Sequence, residues 1–137
     1  MMSARQTYLS NPLDLLVGKQ VIEQEDAEKI AMLVLVSLDA AKRGMAPASL
    51  ANTLTEHLLA SVAIWSQKGN KRLYDKAVLA WNALRKACAR PTALLDLTTG
   101  EYAAIRLAIS YYVRALPIIE VGALATAHQK ALDQLRS

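Results

Sequence analysis

The side chains that could carry out chemistry are few, and they lie far apart along the chain. The two histidines are His57 and His128, and the one cysteine is Cys88. Neither histidine has a second His, Cys or Asp at the one-turn spacing that puts two ligands on the same metal ion. We therefore expect boundary histidines and a buried, apolar cysteine. The sequence also has no paired nucleophile and base and no phosphate loop, so it predicts a non-enzymatic protein without metal or cofactor.

Basic side chains are concentrated between residues 68 and 90. This segment has seven basic residues and a single acidic one, Asp75. At the end of a predicted helix, Arg85, Lys86 and Arg90 would complement the helix dipole, which explains them without a ligand. The other basic residues of the segment are candidates for contact with a partner: Lys68, Lys71, Arg72 and Lys76.

Lys71 and Arg72 need a different explanation, because the dipole disfavours a cation in the first turn of a helix. They would either pair with the acidic start of another helix, residues 23–28, or bind an acidic partner. Nucleic acid is one such partner, contacted through its phosphates by the basic helix 71–90.

Tyrosine and arginine occur together in a later segment. Tyr111 lies close in sequence to Arg106 and Arg114, and these two residue types are enriched in interface hot spots. The three residues form a second candidate partner-binding group. Tyr102 and Tyr112 are explained equally well by packing of a helix face.

The elements that position these residues are predicted to be helices. Ala and Leu predominate, no stretch shows sustained period-two alternation, and glycine and proline divide the chain. The divisions fall at Gly18, Gly44 with Pro47, Gly69 with Asn70, Pro91, Gly100 and Pro117. They predict an all-α fold, a single-domain bundle of about five long helices plus a short N-terminal helix near residues 12–17, over residues 1–137.

Local signals specify several helix ends. Asn70 is expected to cap the helix that follows Gly69, and Thr98 with Glu101 fits a capping box. The helical pattern over residues 99–136 would measure roughly 57 Å if straight, which exceeds the diameter expected of a compact domain of this size. We expect a kink or break at Pro117, which removes an amide donor.

The predicted helix over residues 23–43 has more apolar surface than one buried face requires. Its polar side should continue through Met32, Leu35 and Val36. Such a helix is either central in the bundle or covered by another subunit. The helix after Gly100 is similarly apolar, and two such helices are difficult to bury in one small core. We therefore predict a homodimer, or a larger symmetric oligomer, with these three residues in its interface.

The overall composition bears on location. The chain is 53% hydrophobic, with a formal net charge of +4. Its longest apolar run, residues 30–38, has about half the ~20 residues that span a bilayer, and no signal-peptide core is evident near the N-terminus. The single cysteine excludes an internal disulfide and fits a reducing compartment. These features predict a cytoplasmic protein that does not enter a membrane.

Three short stretches of the sequence form a recognisable combination. They are Asn11-Pro12-Leu13, Leu38-Asp39-Ala40 followed by Gly44, and Leu97-Thr98 with Glu101, Ala104, Ile105 and Ala108. Together they resemble small uncharacterised helical accessory proteins of bacterial phages and mobile elements. That group has no agreed activity, so the resemblance assigns no functional residue. It implies an accessory or inhibitor protein that binds host or viral macromolecules, including host defence complexes.

The sequence therefore predicts a non-enzymatic protein–protein interaction module that self-associates and contacts a partner through an exposed basic or Tyr/Arg surface. The alternative is a nucleic-acid-binding accessory protein that uses the basic helix 71–90. An enzyme whose site is assembled from separate helices is the third hypothesis.

Overall fold

Four α-helices follow one another in the described part of the chain. The computed structural model describes residues 24–116, together with Thr126, Gln129, Lys130 and Asp133. The helices are α1 (Gln24–Lys42), α2 (Ala48–Lys68), α3 (Lys71–Cys88) and α4 (Thr99–Ala115). Among these residues there is no strand, only an isolated bridge between Ala46 and Leu95. The all-α prediction is confirmed.

Two parts of the predicted architecture lie outside the described residues. They are the short helix near residues 12–17 and the kink or break at Pro117, so the count of five long helices and one short helix stays a prediction. α4 ends at Ala115, and Leu116 is its C-cap. Thr126, Gln129, Lys130 and Asp133 each have helical backbone.

Helix ends occur where the sequence predicts them. α2 is followed by Gly69 in the left-handed conformation, with φ 67°, which a residue without a Cβ adopts at least cost. The Asn70 side chain accepts a hydrogen bond from the Leu73 amide at 3.1 Å. Thr98 and Glu101 form both hydrogen bonds of a capping box at the start of α4. These side chains satisfy amides that have no partner within the helix.

α3 and α4 lie antiparallel. Arg72 in the first turn of α3 contacts Tyr111 near the end of α4, while Arg90, just after α3, contacts Glu101 in the first turn of α4. α2 packs against α3 across the tight turn at residues 69–70, and α1 packs against α2 and α4. The start of α3 and the end of α4 therefore meet at one corner of the bundle.

The core consists mainly of aliphatic side chains with Trp65 and Tyr112 as its buried aromatic residues, and the chain has no phenylalanine. The largest fully buried apolar side chains come from all four helices or follow them directly: Val34, Leu54, Leu58, Ile64, Leu84, Ile105, Ile109, Tyr112 and Leu116. Burial of each such aliphatic side chain contributes about 1.5–3 kcal/mol. Their three- and four-residue spacing agrees with the one-sided helices that the sequence predicts.

The buried face of α3 differs from the prediction in its second half. The three- and four-residue spacing of the sequence predicts a buried stripe of Leu73, Ala77, Trp81, Leu84 and Cys88. The structure buries Ala80 and Ala87 in place of Trp81 and Cys88. At 3.6 residues per turn, position 80 lies closer than position 81 to the direction of Leu73, Ala77 and Leu84, whereas positions 87 and 88 lie on opposite sides of that direction. The helical period therefore favours Ala80 over Trp81 but does not by itself select Ala87 over Cys88. Trp81 is partly buried, and Cys88 is exposed.

The connection between α3 and α4 is held against the end of α1. The amides of Leu95 and Leu97 donate to the carbonyls of Ala46 and Ala41 at 2.8 and 3.1 Å. Gly44 has φ +71°, and a Cβ at this position would lie 3.0 Å from the Cγ of Asp96. Both the backbone conformation and the close approach therefore favour glycine at position 44.

The outward face of α1 is apolar at its centre. Met32, Leu35 and Val36 are 68%, 48% and 54% exposed. Among residues 24–116, this face of α1 therefore lies at the surface and not in the centre of the bundle. Within the described residues, none of the helices has the length and apolarity needed to span a membrane.

Candidate functional site

Basic side chains surround a tyrosine at the corner where α3 begins and α4 ends. Arg72 donates a hydrogen bond from Nη1 to the Tyr111 hydroxyl at 3.4 Å, and its Cζ lies 5.4 Å from the centre of the ring. The Cζ of Arg114 is also 5.4 Å from that centre. Lys76 follows Arg72 by one turn of α3. We call Arg72, Lys76, Tyr111 and Arg114 the Tyr111 cluster.

Helical spacing and antiparallel packing both build this cluster. Arg72 and Lys76 share a face of α3, and Tyr111 and Arg114 share a face of α4. The antiparallel arrangement brings these two faces together at the corner of the bundle. Arg114 also donates from Nη2 to the Ser110 hydroxyl at 2.7 Å. Contact with the ring and this hydrogen bond position the guanidinium groups through contacts within the protein.

The surrounding charges lower the pKa of the Tyr111 hydroxyl from its ordinary value. The hydrogen bond from Arg72 is the largest cause and the charge of Arg72 the second, with smaller effects of Lys76 and Arg114. All these groups stabilise the phenolate form. Within residues 24–116, none of the three cations forms an ion pair. The cluster therefore carries positive charge that is available to an acidic group.

Lys71 does not pair with the described part of the acidic start of α1, residues 24–28. Lys71 pairs with Asp75 one turn later in α3, with Nζ 3.0 Å from Oδ2. A carboxylate four residues away in the same helix is close enough without any tertiary contact. Arg72 contacts Tyr111 rather than an acidic side chain.

The other predicted contact residues lie apart from the Tyr111 cluster. Lys68 is exposed in the last turn of α2, and Arg106 is exposed on α4, about 12 Å before Arg114 along the helix axis. Met32, Leu35 and Val36 are on α1. The structure thus unites Arg72, Lys76, Tyr111 and Arg114 among the candidates.

Arg90 is bound within the protein itself. Its guanidinium donates from Nη1 to Oε2 of Glu101 at 2.7 Å and from Nη2 to Oε1 at 2.6 Å. Nη2 also donates to the carbonyl of Asp96 at 2.7 Å. The helix dipole is therefore not the explanation for Arg90. Glu101 is only 9% exposed.

The Arg90 hydrogen bonds are the main reason that the pKa of Glu101 is lowered to about 2, with the Thr98 amide contributing further. The pKa of Arg90 is raised in turn, chiefly by its hydrogen bonds to Glu101. The capping box signals the position of Glu101, but no sequence pattern signals its pairing with a residue eleven positions earlier.

A shallow, open depression of about 540 Å³ lies beside this pair, between α3 and α4. Leu79, Ala83 and Ala104 contribute apolar lining, and Arg90 and Glu101 are also part of it. Because these two charged groups bind each other, they do not form a free acid and base. No group of three or more His, Cys, Asp or Glu side chains suited to a metal ion occurs within the described residues.

His57 is buried rather than at a boundary. It is 6% exposed, and its Nδ1 is hydrogen-bonded to the Tyr112 hydroxyl at 2.7 Å. Burial raises the pKa of Tyr112. The contact satisfies a buried hydroxyl group, which is a structural role. His128 lies outside the described residues.

Cys88 is exposed, contrary to the prediction of a buried residue. Partial desolvation raises the pKa of its thiol, although the charge of Arg90 acts in the opposite direction. The thiolate is the reactive form of cysteine, so a raised pKa makes Cys88 a weak nucleophile.

Comparison with known proteins provides no relative from which a function could be transferred. The chain matches no protein-family model, no curated protein and no solved structure. The resemblance to accessory proteins of mobile elements therefore stays a prediction.

Proposed function

We propose that this protein is a non-enzymatic protein–protein interaction module that self-associates and binds an acidic segment of a protein partner. The Tyr111 cluster is the observation on which the proposal rests. The guanidinium groups of Arg72 and Arg114 both contact the partly buried Tyr111 ring, and neither forms an ion pair within residues 24–116. The mobile-element resemblance adds that the partner belongs to a host complex.

The chemistry of the cluster suits a peptide that carries carboxylates. A guanidinium group donates hydrogen bonds in a planar fork that matches a carboxylate bidentately, as Arg90 and Glu101 do in this protein. The Tyr111 ring adds apolar contact surface of the kind found in interface hot spots. Because contact with the ring already restricts the arginines, binding would cost less side-chain entropy.

Nucleic acid is the alternative partner, since the same guanidinium groups bind phosphate. That function would use basic residues along the helix 71–90. Two of them are neutralised within the protein, Lys71 by Asp75 and Arg90 by Glu101. These pairs interrupt the row of cations at both ends of α3. Arg85 and Lys86 are also exposed, about 14 Å farther along α3 than Lys76, so the remaining cations form a compact cluster and a separate pair. The compact cluster fits a few acidic side chains better than the repeating charges of a phosphate backbone.

Binding of a fluorescent poly-glutamate peptide and of a fluorescent single-stranded oligonucleotide separates the two functions. The test variant is R72E/R114E, which reverses both arginines of the cluster. The matched control is R85E/K86E, which makes the same charge change at exposed residues of α3 outside the cluster. We expect R72E/R114E to lose about tenfold or more in peptide affinity, because charge-assisted contacts are removed and repulsion is introduced. The control should bind the peptide nearly as the unmodified protein does.

Two results would contradict this proposal. Absence of peptide binding by the unmodified protein would remove its basis. Equal losses in both variants, together with tighter binding of the oligonucleotide, would favour the nucleic-acid alternative.

Affinity capture from a lysate of the native host, with and without nuclease, then identifies the partner. The expected result is a protein that stays on the unmodified bait after nuclease treatment and is lost from R72E/R114E.

A further inference from the structure

The outward face of α1 has a regular order of charged and apolar residues. Six exposed residues are spaced four, three, four, three and four positions apart and so lie in one line along the helix: Glu25, Lys29, Met32, Val36, Asp39 and Arg43. This is the spacing by which helices pair along a seam. The line lies opposite the buried side of α1, which contains Val34, Leu38 and Ala41.

The two ends of this line carry ion pairs, and its centre is apolar. Lys29 pairs with Glu25 at 3.3 Å, and Arg43 pairs with Asp39 at 3.1 Å. All four charged side chains are more than half exposed. Met32 and Val36 lie between these pairs and are also more than half exposed. The charged groups are therefore free to contact a second molecule that covers the apolar centre.

The charges along this line face opposite charges when two copies of α1 are placed antiparallel. If two copies of α1 lie antiparallel and cross at the level of position 34, residues equally distant from that position face each other. Glu25 then faces Arg43 of the second copy, and Lys29 faces Asp39 of the second copy. Met32 faces Val36, so apolar residues meet at the centre of the contact. Each charge meets the opposite sign.

We propose that α1 pairs with α1 of a second copy of this chain, antiparallel about a twofold axis at the level of Val34. This inference rests on the self-association in the proposed function and specifies its face, direction and register. A twofold contact uses the same face of both copies, which a self-complementary surface satisfies.

The other arrangements of the same two faces are disfavoured. Parallel pairing in register places each charge against its own kind, which is repulsive. An antiparallel contact moved by four residues sets Lys29 against Arg43 of the second copy, or Glu25 against Asp39. A shift of seven residues places Met32 or Val36 against charged groups. A parallel contact staggered by four residues also sets unlike charges against each other, but it uses different parts of the two faces and does not close as a twofold dimer. Among twofold contacts, the antiparallel register centred on position 34 combines apolar contact with opposite charges.

The size of the face sets the expected strength of the contact. α1 has 19 residues and is about 28 Å long. The face of one such helix is small beside the roughly 800 Å² per partner of a standard stable interface. We therefore expect a weak dimer that forms reversibly with concentration in the high micromolar range.

Sedimentation equilibrium of the full chain tests the register through complementary charge reversals. The variant E25R sets arginine against arginine, and R43E sets glutamate against glutamate, so each alone should weaken the dimer by about tenfold. Mixed together, the two variants restore both opposite-charge contacts and should form a heterodimer about as strong as the unmodified dimer. E28R is the matched control, because Glu28 is exposed on α1 but lies outside the seam; it should not change self-association.

The outcomes distinguish the register from self-association itself. Circular dichroism of each variant establishes that it is folded. If the unmodified chain stays monomeric at millimolar concentration, both self-association and this inference are wrong. If it dimerises but the mixture of E25R and R43E gains nothing over the separate variants, the antiparallel register is wrong and self-association stands. A dimer that persists in M32E would also overturn the inference, because another face would then be responsible.

Discussion

At the residue scale, Glu101 joins more of the local structure than any other charged side chain described above. It accepts hydrogen bonds from both terminal nitrogens of Arg90 and from the Thr98 amide, and it is nearly buried. These donors favour the ionised carboxylate, which is why its pKa lies near 2. The end of α3, the connecting segment and the start of α4 are all linked through this one carboxylate and Arg90.

Stability in acid is expected to depend on Glu101. Its pKa in the folded protein lies below the ordinary value of 4.5. The ionised carboxylate therefore contributes its full stabilisation of the fold above pH 4.5, and this stabilisation is lost as the pH falls toward 2. The shift corresponds to at most about 3 kcal/mol, which solvent screening at the partly exposed Arg90 reduces. In E101Q, urea unfolding followed by circular dichroism should therefore show a free energy of unfolding about 2 kcal/mol lower at pH 7 and little changed near pH 2.

A suitable control is D75N, which alters a carboxylate that is exposed and paired with Lys71 of its own helix. Its stability should follow the pH profile of the unmodified protein. If E101Q lowered the free energy of unfolding by the same amount at pH 7 and near pH 2, the ion pair would not account for the acid sensitivity.

The titration of Tyr111 reports on the assembly of the Tyr111 cluster. Arg72 is the main cause of the lowered pKa, so R72M should raise the Tyr111 pKa toward its ordinary value of 10.0. The measurement is NMR of isotope-labelled tyrosine across an alkaline pH series, with Y111F identifying the signal. K68M serves as the control and should leave the Tyr111 pKa unchanged. An unaltered titration in R72M would mean that Arg72 does not contact the hydroxyl in solution.

At the scale of helices, the sequence predicts ends better than it predicts which side chains meet. The caps at Asn70 and Thr98 depend on residues three positions away, so local pattern is sufficient. Arg72 and Tyr111 are 39 residues apart, and their contact depends on the antiparallel packing of two helices. A small error in the predicted rotation of a helix about its axis also exchanges neighbouring residues between its buried and exposed sides. In α3, Ala87 is buried and Cys88 is exposed, although the sequence predicts a buried Cys88.

The turn after α1 should tolerate a side chain less well than the turn after α2. Both Gly44 and Gly69 have positive φ, but only a Cβ at position 44 would meet other atoms, those of Asp96. We expect G69A to cost about 1 kcal/mol for its left-handed backbone and G44A to cost about 1 kcal/mol more for the crowding. Thermal or urea unfolding of the two variants measures the difference.

The double variant G44A/D96A separates the two contributions. With the Asp96 carboxylate removed, the cost of G44A relative to D96A should fall to that of G69A. If the single variants G44A and G69A lost equal free energies of unfolding, the Asp96 side chain would be able to move away from the added Cβ without cost.

At the scale of the whole molecule, the two proposed contact surfaces lie on different helices. The Tyr111 cluster belongs to α3 and α4, and the seam belongs to the outward side of α1. Binding at one surface therefore does not use the residues of the other. A dimer through α1 would carry two Tyr111 clusters and could hold a partner that has more than one acidic segment.

This arrangement predicts a difference between single and repeated ligands. A peptide with one acidic segment should bind equally to the unmodified protein and to M32E. A peptide with two such segments joined by a flexible linker should bind the unmodified dimer at least about tenfold more tightly, because the second contact is intramolecular. Calorimetry at concentrations above and below dimer formation measures both. No gain for the double peptide above that concentration would contradict a dimer that presents two usable clusters.

Arg90 contacts residues close to it in the sequence, so its contacts should form early in folding. Its bonds to Asp96 and Glu101 span only six and eleven residues, and closing a loop of about ten residues takes roughly 10–100 ns. The contact between Ala41 and Leu97, by contrast, closes a loop of more than fifty residues at a greater cost in chain entropy. The hairpin of α3 and α4 should therefore form before α1 docks onto it. α1, which is synthesised before the other three described helices, would then dock onto the α3–α4 hairpin after that hairpin has formed.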